Sequence, residues 1–272
     1  MKLSFENKVA IITGGAMGIG AAAAAQLAEL GASVAILDRD EKAGAATVET
    51  LRRAGHTAIF VKTDVALAES VRDAVAHVVD EYNSVHVLVS NAGIQRYGDV
   101  VTTTMGDWND VLNTHVQGCF HASRFTLPHM VAAGGGAVVV VGSVQSAAAI
   151  ANSVAYVTAK HALLGLTRSI ALDYASKGVR ANIVCPGAID TPMLRWAAKL
   201  SPDPEEVIAA CNRLHPLGRI GRAEEVATAI AFLASDWASF ITGAALNVDG
   251  GMLVPAGGMS FQESGTGSGT AE

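Results

Sequence analysis

The chain has 272 residues, half of them hydrophobic and 16% charged, with a formal net charge of -6. That length suits one large α/β domain with a sizeable buried core. The acidic balance and the scatter of basic residues exclude a nucleic-acid binder, since nothing offsets phosphate repulsion, and no apolar run reaches the roughly 20 residues that cross a bilayer.

The opening MKLSFENKVA lacks the charged and apolar regions of a secretory signal, so secretion is not expected. The first predicted strand, VAIIT (9–13), runs straight into Thr13-Gly14-Gly15-Ala16-Met17-Gly18-Ile19-Gly20, and a helix follows near 18–30. Glycines there let the chain turn tightly and let a pyrophosphate approach the helix N-terminus, where free N–H groups and the dipole favour negative charge. The spacing is GxxxGxG, not GxGxxG, and the strand before and helix after give it weight. Helix 18–30 carries five alanines, Ala21 to Ala25, and can lie close to a sheet.

The second strand, SVAILD (33–38), ends at Asp38, twenty residues after Gly18. A carboxylate there accepts from ribose hydroxyls and repels a 2′-phosphate, which favours NAD over NADP. Arg39 follows and could pair with such a phosphate; the plain alternative for Asp38 is a solvated strand end. After a helix near 41–54, AIFVKTD (58–64) closes at Asp64-Val65, placed to meet the adenine. A helix near 67–82 leads to VHVLVS (85–90) and Asn91-Ala92-Gly93, whose small side chains allow close approach to a cofactor.

One long helix is predicted over 107–132, then the strand AVVVVGS (137–143) ending at Ser143. Tyr156 comes thirteen residues later and Lys160 four beyond it, one turn apart on a helix over 152–176. A phenol with pKa near 10 is a poor base. A neighbouring ammonium, together with the positive nicotinamide ring of an oxidised cofactor, would favour phenolate, and a drop of about three units is worth roughly 4 kcal/mol. Ser143 can hold a substrate oxygen beside the phenol. Tyr-x-x-x-Lys alone occurs often by chance as an exposed helix pair; Ser143, the glycine turn and Asp38 in order give it meaning.

RANIVCP (180–186) is the sixth strand, and AALNVD (244–249), after a helix near 223–235, is the seventh. Most strands are continuous apolar runs alternating with helices, as in a doubly wound, largely parallel sheet covered on both faces. The alternation breaks at 188–220, a weakly helical stretch expected to form a lid or substrate loop. Residues 256–272 are rich in Gly, Ser and Thr and read as a tail on a domain spanning 1–255. Cys119, Cys185 and Cys211 show no metal-ligand spacing and read as small buried side chains in a reducing cytoplasm.

TGGAMGIG, Asp64-Val65, SNAG (90–93), Ser143, Tyr156-Val157-Thr158-Ala159-Lys160, Pro186-Gly187 and the run LGRIGRAEEVATAIAFLASDWASFITGAALNVDGG (217–251) together resemble the short-chain dehydrogenase/reductases of the compact, classical subgroup, over residues 5 to 253. The resemblance implies a single-domain Rossmann-type fold with a seven-stranded parallel sheet, a homotetramer, and hydride transfer between NAD(H) and a small secondary alcohol or ketone. It makes Tyr156 the general acid/base, with Lys160 binding the nicotinamide ribose and tuning it, and Ser143 orienting substrate. Gly14, Met17, Gly18, Ile19 and Gly20 become the phosphate cradle, and Ile189 and Thr191, after Pro186-Gly187, hold the carboxamide and phosphate. Substrate would meet Gln95, Arg96, Gln145, Ser146, Met193 and Trp196, a mix that tilts towards a sugar, polyol or hydroxy acid.

Two positions depart from the pattern. Ser90 stands where the family has asparagine, and His115, before Val116-Gln117-Gly118, replaces an asparagine thought to anchor a water in the proton relay. His115 is expected to act as a neutral hydrogen-bonding substitute; the alternative is a satisfied core histidine with the relay lost. The rival from another class is a catalytically silent NAD sensor or scaffold, against which Ser143, Tyr156 and Lys160 count. An extended-type nucleotide-sugar epimerase would need GxxGxxG glycines and a larger substrate domain.

Overall fold

Seven parallel strands form the central sheet: β1 (Val9–Thr13), β2 (Ser33–Asp38), β3 (Ala58–Lys62), β4 (Val87–Ser90), β5 (Gly136–Val141), β6 (Val179–Pro186) and β7 (Ala245–Val248), in the order β3-β2-β1-β4-β5-β6-β7. The computed structural model describes residues 3–254, so the tail expected at 256–272 lies outside the described residues. Every strand expected from the apolar runs is present. β1 shows why: Ala10 and Ile12 enter one apolar layer and Val9 and Ile11 the other, so both faces of the strand are covered.

Helices α1 (Gly18–Glu29), α2 (Glu41–Arg53) and α3 (Ala68–Tyr82) follow the first three strands. In α1 the alanine run does what its size allows: Ala23, Ala24 and Leu27 are fully buried. Between β4 and β5 the single predicted helix is in fact three pieces, α4 (Met105–Leu112), a π-helical turn over Asn113–Gln117, and α5 (Gly118–Ala132). A π turn of five residues is too short to stand out in an apolar period read over several turns. After α6 (Val154–Tyr174), the expected lid contains α7 (Pro192–Ala198) and α8 (Pro204–Leu214), and α9 (Ala223–Ala234) precedes β7. Each lid helix begins with proline after a capping side chain: Thr191 Oγ1 accepts from Leu194 N at 3.3 Å, and Asp203 Oδ1 from Glu206 N at 3.0 Å. A two-residue parallel pairing, Ile189 with Gly221 and Asp190 with Arg222, clamps the two ends of the lid together.

Strand order reverses between β1 and β4, opening a crevice at their carboxyl ends. Asn91 and Thr13 stitch its floor. Asn91 Nδ2 donates to Thr13 O (3.2 Å) and Gly14 O (2.9 Å), while Thr13 Oγ1 accepts from Asn91 N (3.1 Å) and Ala92 N (3.2 Å).

Candidate active site

A cavity of about 330 Å³ fills this crevice, lined by Gly14, Met17, Gly18, Ile19, Asp38, Arg39, Asp64, Val65, Asn91, Ala92, Gly93, Thr191 and Met193. Of the expected cofactor positions, Gly20, Tyr156, Lys160, Pro186, Gly187 and Ile189 are not among the residues that line it. A Cβ on Gly20 would fall 2.1 Å from Gly14 O, so that glycine serves the tightness of the turn. Gly14 is held by its positive φ of 64° and by Ala92, whose Cα would lie 2.7 Å from a Cβ there. Leu37, Thr63, Ile94, Thr114 and Pro192 line the cavity too. The first two flank motif residues at strand ends, whereas the place of Thr114 depends on the π turn.

The cavity faces the start of α1, whose N-cap Met17 offers no side-chain hydrogen bond and whose first turn has no acidic residue. Its leading N–H groups therefore lack a protein acceptor, and an anion such as a pyrophosphate fits them. Asp38 faces the same cavity. Its Oδ2 accepts from Ala16 N at 3.1 Å and its Oδ1 from Asp40 N at 3.0 Å, so the carboxylate also holds the glycine turn.

Beyond this cavity α6 brings Tyr156 and Lys160 under the end of β5. Lys160, 4% exposed, donates from Nζ to Val141 O at 2.8 Å and lies 5.3 Å from the Tyr156 ring centroid. Burial pulls the Lys160 ammonium down to about 8. Withdrawal from water pushes the Tyr156 phenol up to about 12, against a lowering hydrogen bond with Ser143; the expected drop rests on the positive nicotinamide ring as well as on Lys160. Ser143 is buried at the turn after β5, its Oγ accepting from Gln145 N at 3.2 Å.

His115 packs edge-on against Tyr156, with centroids 5.3 Å apart and planes at 86°. It is 2% exposed, and burial, helped by the Lys160 charge, lowers it to about 3, so the ring is neutral. Its Nε2 lies 2.8 Å from Ile94 O and 3.0 Å from Ile94 N, and Nδ1 has no hydrogen-bond partner among the described residues. Gly93 is small for this reason: a Cβ would sit 2.4 Å from His115 Cε1.

The expected substrate positions divide. Arg96 is not free for substrate: it pairs with Asp107 (3.3 Å) and Asp110 (3.7 Å) on α4 and donates to Gln95 O. Ser146 is also turned inward, its Oγ accepting from Ser143 N at 3.3 Å. Gln95 Nε2 donates to Ser153 Oγ, and the amide oxygens of Gln95 and Gln145 are buried without partners among the described residues. Trp196 of α7 stacks on Tyr97, centroids 6.3 Å apart, so lid and β4 loop meet through two half-exposed rings. Tyr97 carried no signal in the sequence, since a lone tyrosine in a loop has no spacing to mark it.

The family model described as enoyl-(acyl carrier protein) reductase matches residues 14–253. Cis-4-hydroxycyclohexanecarboxylate dehydrogenase of Sinomonas cyclohexanicum is 45% identical over 249 residues, covering 91% of this chain and 97% of that protein. Cyclohexanol dehydrogenase of an Acinetobacter species is 39% identical over 92% of this chain and 96% of its own. The ligand-free structure of Thermoplasma acidophilum aldohexose dehydrogenase superposes with a TM-score of 0.85 at 40% identity, covering 95% of this chain and 98% of that one. The chain belongs to the short-chain dehydrogenase/reductase family and is an oxidoreductase that uses a nicotinamide cofactor.

Proposed function

We propose that the chain oxidises a small, polar secondary alcohol, or reduces its ketone, with NAD(H) as cofactor. The observation that carries this is the meeting of Ser143 and Lys160 at Tyr156, beside a cleft that ends in an uncapped helix N-terminus. A nicotinamide dinucleotide held there supplies the hydride acceptor or donor. Gly14, Gly18 and Ile19 would hold its phosphates and Asp38 its ribose hydroxyls, which is what favours NAD; Arg39 lines the same cavity and is the group through which NADP would bind.

Ser143 would hydrogen-bond the substrate oxygen and Tyr156 would exchange its proton. At neutral pH a phenol near 12 is protonated and suits donation to a ketone, while the Lys160 ammonium beside it favours the phenolate that remains. Ketone reduction should therefore hold through neutral pH and fall as pH climbs past about 8, where Lys160 loses its proton; a pH–rate profile checks this. We assign His115 a neutral hydrogen-bonding role in the relay. A His115→Phe variant that turns over like the parent, compared alongside His115→Asn, would remove it.

The substrate class is supported by the unpartnered amide oxygens of Gln95 and Gln145, which can accept from substrate hydroxyls. Relatives are named for cyclohexanol, hydroxycyclohexanecarboxylate and aldohexose, and we place a ring-borne secondary alcohol first. We also propose a homotetramer in the cytoplasm, where three free thiols are at home. The test is a spectrophotometric screen of sugars, polyols, hydroxy acids and cyclic alcohols with both NAD and NADP. Tyr156→Phe should lower turnover by about 10²–10⁴-fold while dinucleotide binding persists. Undiminished turnover in that variant overturns the assignment, and a clear NADP preference overturns the role given to Asp38.

A further inference from the structure

Away from the catalytic end, one buried imidazole ties the lid to the wall of the cofactor cleft. His215, just past the end of α8, is 3% exposed. Its Nδ1 lies 2.7 Å from Cys211 O on that helix, and its Nε2 lies 3.1 Å from Ala188 N. A backbone N–H only donates and a carbonyl only accepts, so Nδ1 carries the proton and Nε2 is the acceptor. Both nitrogens are used, and one neutral tautomer is fixed.

The backbone is shaped around this ring. A Cβ on Gly187 would lie 2.5 Å from His215 Nε2, and one on Gly250 would lie 3.4 Å from His215 Cβ. Ala188 begins the stretch that leaves β6 and enters α7, and Thr191, Pro192 and Met193 of that stretch line the cavity beside α1. A Cβ on Gly18, at the head of α1, would fall 3.4 Å from Thr191. His215 therefore grips one end of a short segment whose other end touches the proposed phosphate cradle. The clamp of Ile189 and Asp190 on Gly221 and Arg222 gives the same segment a second tie, one made by backbone pairing alone.

We infer, resting on the reading of this cleft as the dinucleotide site, that His215 is a positioning residue: it holds segment 187–193 in the form that receives the cofactor and couples that form to the order of α8. Its side chain does not line the cleft, so its effect runs through Ala188.

The experiment compares the parent with His215→Leu and His215→Gln, the glutamine keeping an acceptor that can meet Ala188 N. Two quantities are read: NADH affinity by fluorescence titration, and amide exchange by mass spectrometry in peptides covering 187–193, with peptides from β1 and α1 as controls. His215→Leu should speed exchange in 187–193 and weaken NADH binding by about tenfold, leaving the control peptides unchanged, because a buried donor is left unpaired. His215→Gln should recover most of both. If the leucine variant does not fold, His215→Asn, with a shorter reach, takes its place. Unchanged exchange at 187–193, or exchange raised equally in the controls, overturns the inference. A parent that binds no dinucleotide overturns the reading of the cleft instead, and the exchange data still decide whether the imidazole holds the segment.

Discussion

His115 meets Ile94 with a single nitrogen where two bonds are on offer. Ile94 N–H needs an acceptor and Ile94 O needs a donor, yet Nε2 is one or the other. Asparagine carries both functions on one amide, so His115→Asn should raise the unfolding temperature, by the equivalent of about 1 kcal/mol for one net hydrogen bond. The same residue makes the fold acid-sensitive. Above pH 6.5 neither folded nor unfolded chain protonates it. Between 6.5 and about 3 only the unfolded chain does, so stability falls with pH by up to about 1.4 kcal/mol per unit from this group. Denaturant midpoints at pH 6.5 and 5 should draw apart in the parent and less so in His115→Asn. Gly93→Ala, with its Cβ 2.4 Å from the imidazole, should cost about 1–3 kcal/mol, and less when combined with His115→Ser, in a double-mutant cycle.

At the scale of elements, the β2 end and the α1 start form one unit. Asp38 accepts from Ala16 N and Asp40 N while facing the cavity, so it shapes the turn at the place where we propose it meets the cofactor ribose. Asp38→Ser should shift the ratio of kcat/KM for NAD over NADP by about tenfold or more, as removal of one charged hydrogen-bonding group implies. The π turn over Asn113–Gln117 has a comparable double part. By slipping the helix register it aims His115 at Tyr156 and sets Thr114 on the cavity wall, while Gly118 leaves room for Val65, whose Cγ2 would be 2.8 Å from a Cβ.

Over the whole molecule, the reversal of strand order between β1 and β4 locates the cleft, and β5 and α6 bring the side chains proposed as catalytic to its edge. Leu172 on α6 is 82% exposed and Phe240 is fully exposed, and the proposed tetramer is the assembly that would cover them. Sedimentation velocity should find the parent as a tetramer, and Leu172→Asp should yield smaller species; a parent that sediments as a monomer would remove the proposed assembly.

Strand positions, most helix positions, the glycine turn and the Ser143, Tyr156 and Lys160 set were legible in the chain, because each is written in local spacing: apolar runs, a turn residue, a one-turn interval. What the sequence left open depended on partners distant along the chain. Arg96 was expected at the substrate until Asp107 and Asp110 stood beside it, and His215 carried no spacing signal, its place being set by Ala188 and Gly187. Burial raises the Tyr156 phenol, since desolvation is set by everything packed around a group and not by the one charge four residues away. Local periodicity determined the elements and the inventory of chemistry; only tertiary packing decided which of those groups face the cleft and how readily each gives up a proton.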